Sequence, residues 1–368
     1  MKILVYTPTN ARAVDLQSVI EYFAGRGHET FLLSQLRRGA LHANVEKYNV
    51  QAFGTDSDKG DGLKFYIISM VRLFSFVRKH RIEVVFAHLQ GAGALAGLVS
   101  WLLPFKLYYI RHNTDEHILS GNRNATIMNR ITNKVVGTII APSEKVFRYI
   151  TGVEKIDPSR IIRINYGYNF KQYLETDRTG NSCELRSQYN CQMLIVSVAR
   201  MIPVKRHYLM FTAVRALIDK GYDIKFVCLG DGPLRSSLES YIAENDLGHH
   251  IFLTGAKSNV FDYLEAADVF LHLSATEASN SSVKEAAYCC KPAIVCHDVG
   301  DFDDYLESGI NGYLVDKDDP VPAATAALAE LYSDLGKARR LGYELKKKVL
   351  SEFDINNVSP AYDSLLQA

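Results

Sequence analysis

Two carboxylates stand eight residues apart late in the chain, Glu277 and Glu285. Glu277 follows an apolar run, residues 267–274, that is typical of a buried parallel strand. Glu285 lies in the first turns of the helix predicted to follow. Open α/β sheets bind their ligands at the carboxyl ends of the strands. Two carboxylates at that edge can accept hydrogen bonds from several hydroxyl groups at once, so the pair suits a sugar and a ribose.

Glu285 also has a purely structural interpretation. The run Ser282-Val-Lys-Glu285 fits a capping box, in which a serine caps the helix and the glutamate bonds back to the capping N–H. Taken alone, this pattern favours the capping role for Glu285. It leaves Glu277 without any structural role.

Two cations follow an earlier predicted strand, residues 194–198. Arg200 stands just beyond the end of that strand, and Lys205 follows five residues later, before the next predicted helix. With helix N-terminal amides nearby, such a pair can clamp a diphosphate. Taken alone, however, the segment is better interpreted as an ordinary basic loop.

Two further turns belong to the same half of the chain. Gly230 opens a strand-to-helix turn, Gly230-Asp-Gly232, and this glycine spacing alone is a weak signal of ligand binding. After the next predicted strand, Lys257 to Val260 lie where the edge of a nucleobase could contact backbone groups.

The elements that must position these residues are short apolar runs that alternate with amphipathic stretches at helical spacing. The first set of strand-like runs comprises residues 3–6, 29–33, 84–87, 107–110 and 138–141. The second set comprises residues 194–198, 224–229, 251–253, 269–273 and 293–296. The alternation predicts an α/β fold of two doubly wound, Rossmann-like domains in tandem. We place them at residues 1–178 and 179–352 and expect ligands to bind in the crevice between them.

Size and composition are those of an ordinary soluble protein with two domains, since the 368 residues are 47% apolar and 23% charged. Residues 1–180 hold 24 of the 42 Lys and Arg residues but 15 of the 41 Asp and Glu residues. Residues 181–368 hold the remaining 18 basic and 26 acidic residues. A basic first half could meet phosphate-bearing substrates or an anionic membrane. Two solvated faces that attract each other across a cleft explain the asymmetry equally well.

Cysteine usage and the termini indicate a reducing compartment. The six cysteines show no Cys-x-x-Cys spacing, which favours free thiols, and the chain enters a predicted strand at once instead of a signal peptide. The longest apolar stretch, residues 91–103, is shorter than a membrane span and ends before Pro104. A core helix is its main interpretation, and membrane insertion is the lesser one.

In order along the chain, these features resemble the donor-binding domain of the GT-B glycosyltransferases. The chain is similar in particular to the retaining glycosyltransferase family 4 (group 1), typified by enzymes of bacterial lipopolysaccharide and capsule polysaccharide synthesis. The resemblance is clearest over residues 138–316. The residues that fall in family order are Arg200, Lys205, Gly230-Asp-Gly232, Gly255, Glu277, Glu285 and Asn311-Gly312.

The resemblance implies an enzyme that moves a sugar from a nucleoside-diphosphate-sugar to a saccharide or lipid-linked acceptor. Arg200 and Lys205 would neutralise the leaving diphosphate. Glu277 would hold hydroxyls of the transferred sugar, and Glu285 would hold the ribose. Sugar and phosphate oxygens would bind amides at the start of the predicted helix, at Asn280, Ser281 and Ser282.

The resemblance also covers parts of the first domain. His112, which follows a predicted strand, matches the histidine that such enzymes place beside the donor sugar, although a lone histidine there is as readily a structural group. The terminal helix, residues 353–368, would cross back onto the first domain. Two departures weaken the transfer of roles. The loop at residues 7–12 contains no glycine, so the acceptor site cannot be carried over, and residues 278–281 lack the usual Gly-aromatic-Gly.

Neither a metal ion nor a resident cofactor is expected beside the nucleotide-sugar co-substrate. Asp301-Phe-Asp303 has the spacing of a metal site but is interpreted as an exposed helix start. Arg200 and Lys205 can supply the positive charge that a divalent ion would otherwise bring.

Other functional classes stay open on these residues. A nucleotide-sugar epimerase shares the GT-B fold, and a non-catalytic nucleotide-sugar-binding protein would keep the donor site without turnover. A dinucleotide oxidoreductase would need Gly-x-Gly-x-x-Gly after the first strand, which residues 7–12 lack.

A cluster of basic residues indicates where the acceptor is found. Arg72, Arg78, Lys79 and Arg81 lie on or just after one predicted helix and favour an acceptor at a membrane. We therefore predict a cytoplasmic protein in peripheral contact with the inner face of the cell membrane, with no nucleic-acid partner.

Overall fold

The computed structural model describes residues 1–11, 13–57, 62–112, 123–172 and 178–367. The chain divides into two compact units, Met1–Asn169 with Phe353–Ala368, and Phe170–Glu352. The division falls before the boundary at 178–179 that the sequence suggests. Its physical reason is local: Tyr168 N–H bonds the Phe353 carbonyl at 2.8 Å, whereas the ring of Phe170 stacks on Tyr288 at 5.1 Å.

The described part of the first unit holds a parallel sheet of seven strands in the order β3-β2-β1-β4-β5-β6-β7. The strands are β1 Lys2–Thr7, β2 Glu29–Ser34, β3 Gln51–Phe53, β4 Val84–His88, β5 Lys106–Ile110, β6 Thr138–Ala141 and β7 Ile161–Arg163. The helices among them are α1 Val14–Gly25, α2 Ala40–Val45, α3 Gly62–His80, α4 Gln90–Ser100, α5 Arg123–Val135 and α6 Glu144–Gly152.

The described part of the second unit repeats this plan with six parallel strands in the order β10-β9-β8-β11-β12-β13. The strands are β8 Met193–Val198, β9 Ile224–Leu229, β10 Ile251–Gly255, β11 Val269–His272, β12 Ala293–Cys296 and β13 Gly312–Val315. The helices are α7 Ser182–Tyr189, α8 His207–Ile218, α9 Arg235–Glu244, α10 Val260–Ala266, α11 Ser281–Tyr288, α12 Phe302–Tyr305, α13 Pro320–Ser333 and α14 Leu335–Phe353.

The central strands form because their residues are apolar without interruption. Parallel strands between two helical layers bury both faces, so they need continuous rather than alternating hydrophobicity. Ile3, Leu4 and Val5 of β1 are fully buried, and every residue of β12 is buried. The prediction of two doubly wound α/β domains is therefore confirmed.

The chain ends in a helix that belongs to the first unit, α15 Ile355–Gln367, as predicted. Asp363 of this helix accepts a hydrogen bond from the hydroxyl of Tyr22 on α1 at 2.7 Å. The Tyr108 hydroxyl donates to the Leu365 carbonyl at 2.7 Å, and the Tyr362 ring packs edge-on against the core.

Two short strands were not predicted from the sequence, whereas the predicted core helix is present. The edge strands β3 and β7 escape prediction because three residues are too few to show a period. The apolar stretch at 91–103 is the core helix α4, whose Gly97 leaves room for Val135 of α5. Among the described residues, no helix combines the length and apolar character needed to cross a membrane.

Candidate active site

The predicted donor-site loops of the second unit lie at the point where its strand order reverses. In the order β10-β9-β8-β11-β12-β13, strand β8 lies between β9 and β11. Successive connections diverge there, which leaves an opening at the carboxyl ends of β8 and β11. The loop after β8 carries Arg200 and Lys205, and the loop after β11 carries Glu277.

Backbone hydrogen bonds hold these two loops against each other. The carbonyl of Val204 accepts the N–H of Ala275 at 2.8 Å and the hydroxyl of Ser274 at 3.1 Å. Ser274 is fully buried, so water does not compete for these bonds. As a result, Lys205 and Glu277, 72 positions apart in the chain, become neighbours.

Glu277 is the centre of a polar network. Its Oε1 accepts hydrogen bonds from the Lys205 ammonium, from His272 Nε2 at 2.8 Å and from Asn280 Nδ2 at 3.0 Å. The sequence left Glu277 without a structural role, and that interpretation is wrong. All of its hydrogen bonds among the described residues go to Oε1, so Oε2 stays available for a ligand hydroxyl.

This network keeps Glu277 ionised. Burial alone would raise the pKa of its carboxyl, but the hydrogen bond from His272 and the charge of Lys205 outweigh burial, and the pKa falls well below its usual range. Burial lowers the pKa of His272, so this imidazole is neutral at pH 7. Lys205 uses one ammonium proton on Glu277, which leaves donors for a phosphate oxygen.

Helix α11 begins two residues earlier than the capping-box interpretation requires. Asn280 is the N-cap, and its side-chain oxygen accepts the Val283 N–H at 3.1 Å. The prediction of Ser282 as the cap is therefore wrong, because the helix already begins at Ser281 and Asn280 occupies the N-cap position. Ser281 and Ser282 occupy the first turn of the helix, where backbone amides point outward and favour an anion.

Glu285 is consequently released from the capping role. It lies half-buried on α11, the helix that begins beside Glu277. The two glutamates thus flank one helix start, as the sequence indicated.

Gly230 lies against the backbone beside Arg200. Its φ is +127°, and a Cβ there would lie 2.0 Å from the Ala199 carbonyl oxygen. Only glycine allows this approach, in which Met201 N–H bonds the Asp231 carbonyl at 2.9 Å. Arg200 itself is exposed.

The loop after β10 touches the same edge through its backbone. Gly230 N–H bonds the Gly255 carbonyl at 2.9 Å. Lys257 is exposed in this loop, and Val260 begins α10. Neither side chain joins the hydrogen-bond network around Glu277.

Two groups of residues near Glu277 are not predicted from the sequence. His272 could have been suspected, since it is a polar residue within the apolar run 269–273. Lys284 and Asp301 form an ion pair in which both side chains are fully buried. The interpretation of Asp301 as an exposed helix start is therefore wrong, because its carboxylate turns inward to the ammonium of α11.

His112, in the first unit, has partners on both ring nitrogens. Its Nδ1 shares a hydrogen bond with the Tyr166 hydroxyl at 2.7 Å, and its Nε2 shares one with His88 Nδ1 at 2.9 Å. Burial lowers the pKa of His112 and, more strongly, that of His88. The neighbouring Arg111 is a structural residue, since it is fully buried and forms two hydrogen bonds to Glu154.

Among the described residues, no group of three or more His, Cys, Asp and Glu side chains is arranged to hold a metal ion. All six cysteines are free thiols.

Comparisons with known proteins match both halves of the chain. A family model described as "Glycosyltransferase Family 4" matches residues 14–172, and one described as "Glycosyl transferases group 1" matches residues 187–348. The chain is 24% identical over 332 residues to alpha-D-kanosaminyltransferase of Streptomyces kanamyceticus, which covers 82% of this chain and 85% of the relative. It is 22% identical over 264 residues to N-acetyl-alpha-D-glucosaminyl L-malate synthase of Bacillus anthracis, covering 71% and 67%.

A solved structure shares the fold over the whole length. Anabaena HepE in complex with UDP-glucose superposes with a TM-score of 0.83 at 17% identity, covering 100% of this chain and 99% of HepE. Two doubly wound parallel sheets with these matches define a glycosyltransferase of the GT-B fold. The chain belongs to the group 1 glycosyltransferases.

Proposed function

We propose that this glycosyltransferase moves a hexosyl residue from a UDP-sugar to a saccharide or lipid-linked acceptor, with retention of configuration and without a metal ion. The observation that carries the proposal is the Lys205–Glu277 pair at the strand-order reversal of the second unit. It combines a cation for the leaving diphosphate with a fixed carboxylate for the sugar.

The chemistry follows from where charge develops. Breaking the bond between the anomeric carbon and the diphosphate leaves negative charge on the phosphate oxygens and positive character on the sugar. A preorganised cation stabilises the departing charge more in this transition state than in the ground state. Lys205 takes that role, with Arg200 beside it.

Glu277 and α11 hold the donor. Glu277 Oε2 accepts a hydroxyl of the transferred sugar, while Oε1 stays bound to the protein. The first-turn amides of Ser281 and Ser282 receive sugar or phosphate oxygens, because the helix start is electropositive. The Glu285 carboxylate accepts hydrogen bonds from the ribose hydroxyls.

UDP is the nucleotide that we propose first. The structural neighbour HepE binds UDP-glucose. We place the base against the loop after β10, where backbone amides and carbonyls would bond the edge of a pyrimidine. A thermal-shift panel of UDP, GDP, ADP and TDP with their sugars tests this choice. UDP ligands should raise the melting temperature most, since a ligand that binds only the folded state stabilises it.

Turnover and its stereochemistry distinguish the candidate functions. The protein is incubated with UDP-sugars, with and without saccharide or lipid acceptors, and products are followed by NMR. Acceptor-dependent UDP release with the anomeric configuration of the donor supports the proposal, and an unchanged rate in EDTA supports metal independence. Free UDP-sugar isomers would instead indicate an epimerase, and binding without turnover would indicate a non-catalytic binding protein.

A membrane-bound acceptor is supported by one face of α3. The opposite face packs into the core through Ser69, Leu73 and Val77. On the outer face four large apolar side chains are exposed, among them Leu63 at 76% and Val71 at 57%. The outer apolar residues are Leu63, Ile67, Ile68 and Val71.

Charge beside this face favours an anionic bilayer as its occupant. Arg72, Arg78, Lys79 and Arg81 are exposed on or just after α3. An apolar stripe flanked by cations is the pattern of a helix that lies in the interfacial plane of a membrane. We propose that α3 places the enzyme on the cytoplasmic leaflet, where cell-surface glycolipids and lipid-linked polysaccharide precursors are made.

Vesicle sedimentation tests the membrane contact. The parent protein should bind vesicles of phosphatidylcholine with phosphatidylglycerol, and binding should weaken with salt. Each cation contributes about 1 kcal/mol. Replacing Arg72, Arg78, Lys79 and Arg81 by Gln should therefore lower partitioning on the order of 1000-fold. The matched control replaces four exposed cations of the second unit, Lys220, Arg339, Arg340 and Lys347. Equal partitioning of the two variants would contradict the role of α3.

A further inference from the structure

The fully buried ion pair Lys284–Asp301 lies directly behind the loop that carries Glu277. Lys284 Nζ donates to Asp301 Oδ2 at 2.7 Å, to Ser279 Oγ at 2.9 Å and to the Asn280 carbonyl at 3.2 Å. These three acceptors use all three ammonium protons. Two of them belong to the loop between Glu277 and α11, so one side chain fixes both backbone and side chain of that loop.

Asp301 reaches the same loop from the other side. Its Oδ2 also accepts the Ser279 hydroxyl at 2.6 Å, which closes a triangle of Lys284, Asp301 and Ser279. The residue before it, Gly300, has φ +59°, and a Cβ there would lie 2.8 Å from Cβ of Glu277. The turn that carries Asp301 therefore packs directly against the base of the Glu277 side chain.

The pair is poorly arranged for stability alone. Burying two charges costs free energy that their attraction only partly offsets, and apolar replacements of similar volume are often neutral or stabilising. The Asp301 Oδ1 atom is buried with no hydrogen-bond partner among the described residues, which adds to that cost. An apolar pair would fill the space, but it could not bind Ser279 Oγ or the Asn280 carbonyl.

We propose that Lys284 and Asp301 are positioning residues for glycosyl transfer: they clamp residues 277–280 so that Glu277 meets the transferred sugar at a fixed place. The catalytic consequence rests on the proposed function. The clamped loop contains no glycine, since residues 278–281 are Ala278-Ser-Asn-Ser281, and the two buried charges restrict it further. Neither residue touches the donor, so their effect passes through Glu277 and Asn280.

The test compares single and paired substitutions. K284M and D301L each leave a buried charge unpaired and should lower the melting temperature strongly. The double variant K284M/D301L removes both charges and should melt within a few degrees of the parent. Nevertheless its kcat should fall between about tenfold and 100-fold, because small displacements of a positioning group cost that much. The Kd for UDP should stay within about threefold, since the clamp does not hold the diphosphate cations.

Hydrogen exchange gives a readout that does not depend on activity. Amides of residues 277–281 should exchange faster in K284M/D301L than in the parent, with the rest of the second unit unchanged. S279A should show the same direction to a smaller extent. The control K337M/E330Q removes an exposed ion pair of α13 and α14 and should change neither kcat nor exchange in the loop.

Two results would overturn the proposal. Unchanged loop exchange in the folded double variant would show that the pair does not order the loop. Unchanged kcat in that variant, with turnover present in the parent, would show that loop order does not matter to transfer. Absence of any UDP-sugar turnover by the parent would instead contradict the proposed function, and the exchange result would still decide whether the clamp exists.

Discussion

Glu277 joins two loops of the fold through hydrogen bonds and is also the residue that we assign to the transferred sugar. Its Oε1 accepts hydrogen bonds from Lys205, His272 and Asn280, and these three bonds hold the carboxylate in one orientation. A carboxylate held in this way costs no reorganisation when the substrate binds. The same ion pair restrains Lys205, so the two groups that we assign to the sugar and to the diphosphate are positioned together.

Lys205 should contribute mainly to turnover. Replacing it by Ala removes the preorganised cation for the leaving diphosphate and should lower kcat about 100-fold or more. The measurement is UDP release under saturating donor. K220A, at an exposed position just after the end of α8, is the control for charge alone. A kcat within a few-fold of the parent would remove Lys205 from the mechanism.

Glu285 should contribute mainly to donor affinity. Because it is assigned to the ribose, E285A should raise the donor KM about tenfold, the usual cost of a hydrogen bond to a charged group, with a smaller effect on kcat. Steady-state kinetics with the exposed E307Q variant as control give the comparison. A fall in kcat with unchanged KM would contradict the ribose assignment.

The loops at the carboxyl edge of the second sheet are positioned by backbone contacts at the ends of the strands. Gly230 lets the turn after β9 rest on the backbone beside Arg200, at a φ that L-residues rarely adopt. The position of the Arg200 loop thus depends on a glycine that makes no contact through a side chain.

Substitution of Gly230 should therefore destabilise the second unit. G230A brings a Cβ to 2.0 Å from the Ala199 oxygen and should lower the free energy of unfolding by about 2 kcal/mol or more. The matched control is G248A, where an added Cβ meets nothing within 4 Å. Denaturant unfolding of both variants is the measurement, and equal stability would show that the loop relaxes around the added methyl group.

The sequence predicts elements better than it predicts side-chain partners. Apolar runs located the central strands because burial on both faces demands them, and spacing placed Glu277 and Glu285 at one edge. The Lys284–Asp301 pair could not be found in this way, since it joins residues 17 positions apart through side chains alone. The N-cap was misassigned because Asn280, Ser281 and Ser282 are all good caps, and only the backbone path selects one.

At the scale of the whole molecule, several histidines are buried in neutral form. Burial lowers the pKa of His88, His112 and His272, and it lowers the pKa of His207 to about 4. Between these values and the ordinary value of about 6.5, the unfolded chain binds more protons than the folded one. The stability that these groups contribute is thus complete above about pH 6.5 and is lost as pH falls.

The free energy of unfolding should accordingly decrease from pH 7 to pH 5. Each buried histidine contributes up to about 1.4 kcal/mol per pH unit in this window. H207Q should reduce the slope of the unfolding free energy against pH by the amount that corresponds to one bound proton. The same substitution at the exposed His249 is the control. Urea unfolding followed by circular dichroism at several pH values is the measurement. An identical slope in H207Q and the parent would show that His207 is not buried in neutral form.

The most direct test of the account is the E277Q variant, because it keeps the size of the side chain and removes its charge. Donor turnover and UDP affinity are measured together, with a melting curve to confirm folding. We predict that kcat falls about 100-fold while the Kd for UDP stays within about threefold, since Glu277 is assigned to the sugar. Turnover close to that of the parent, or an equal loss of UDP binding and turnover, would contradict it.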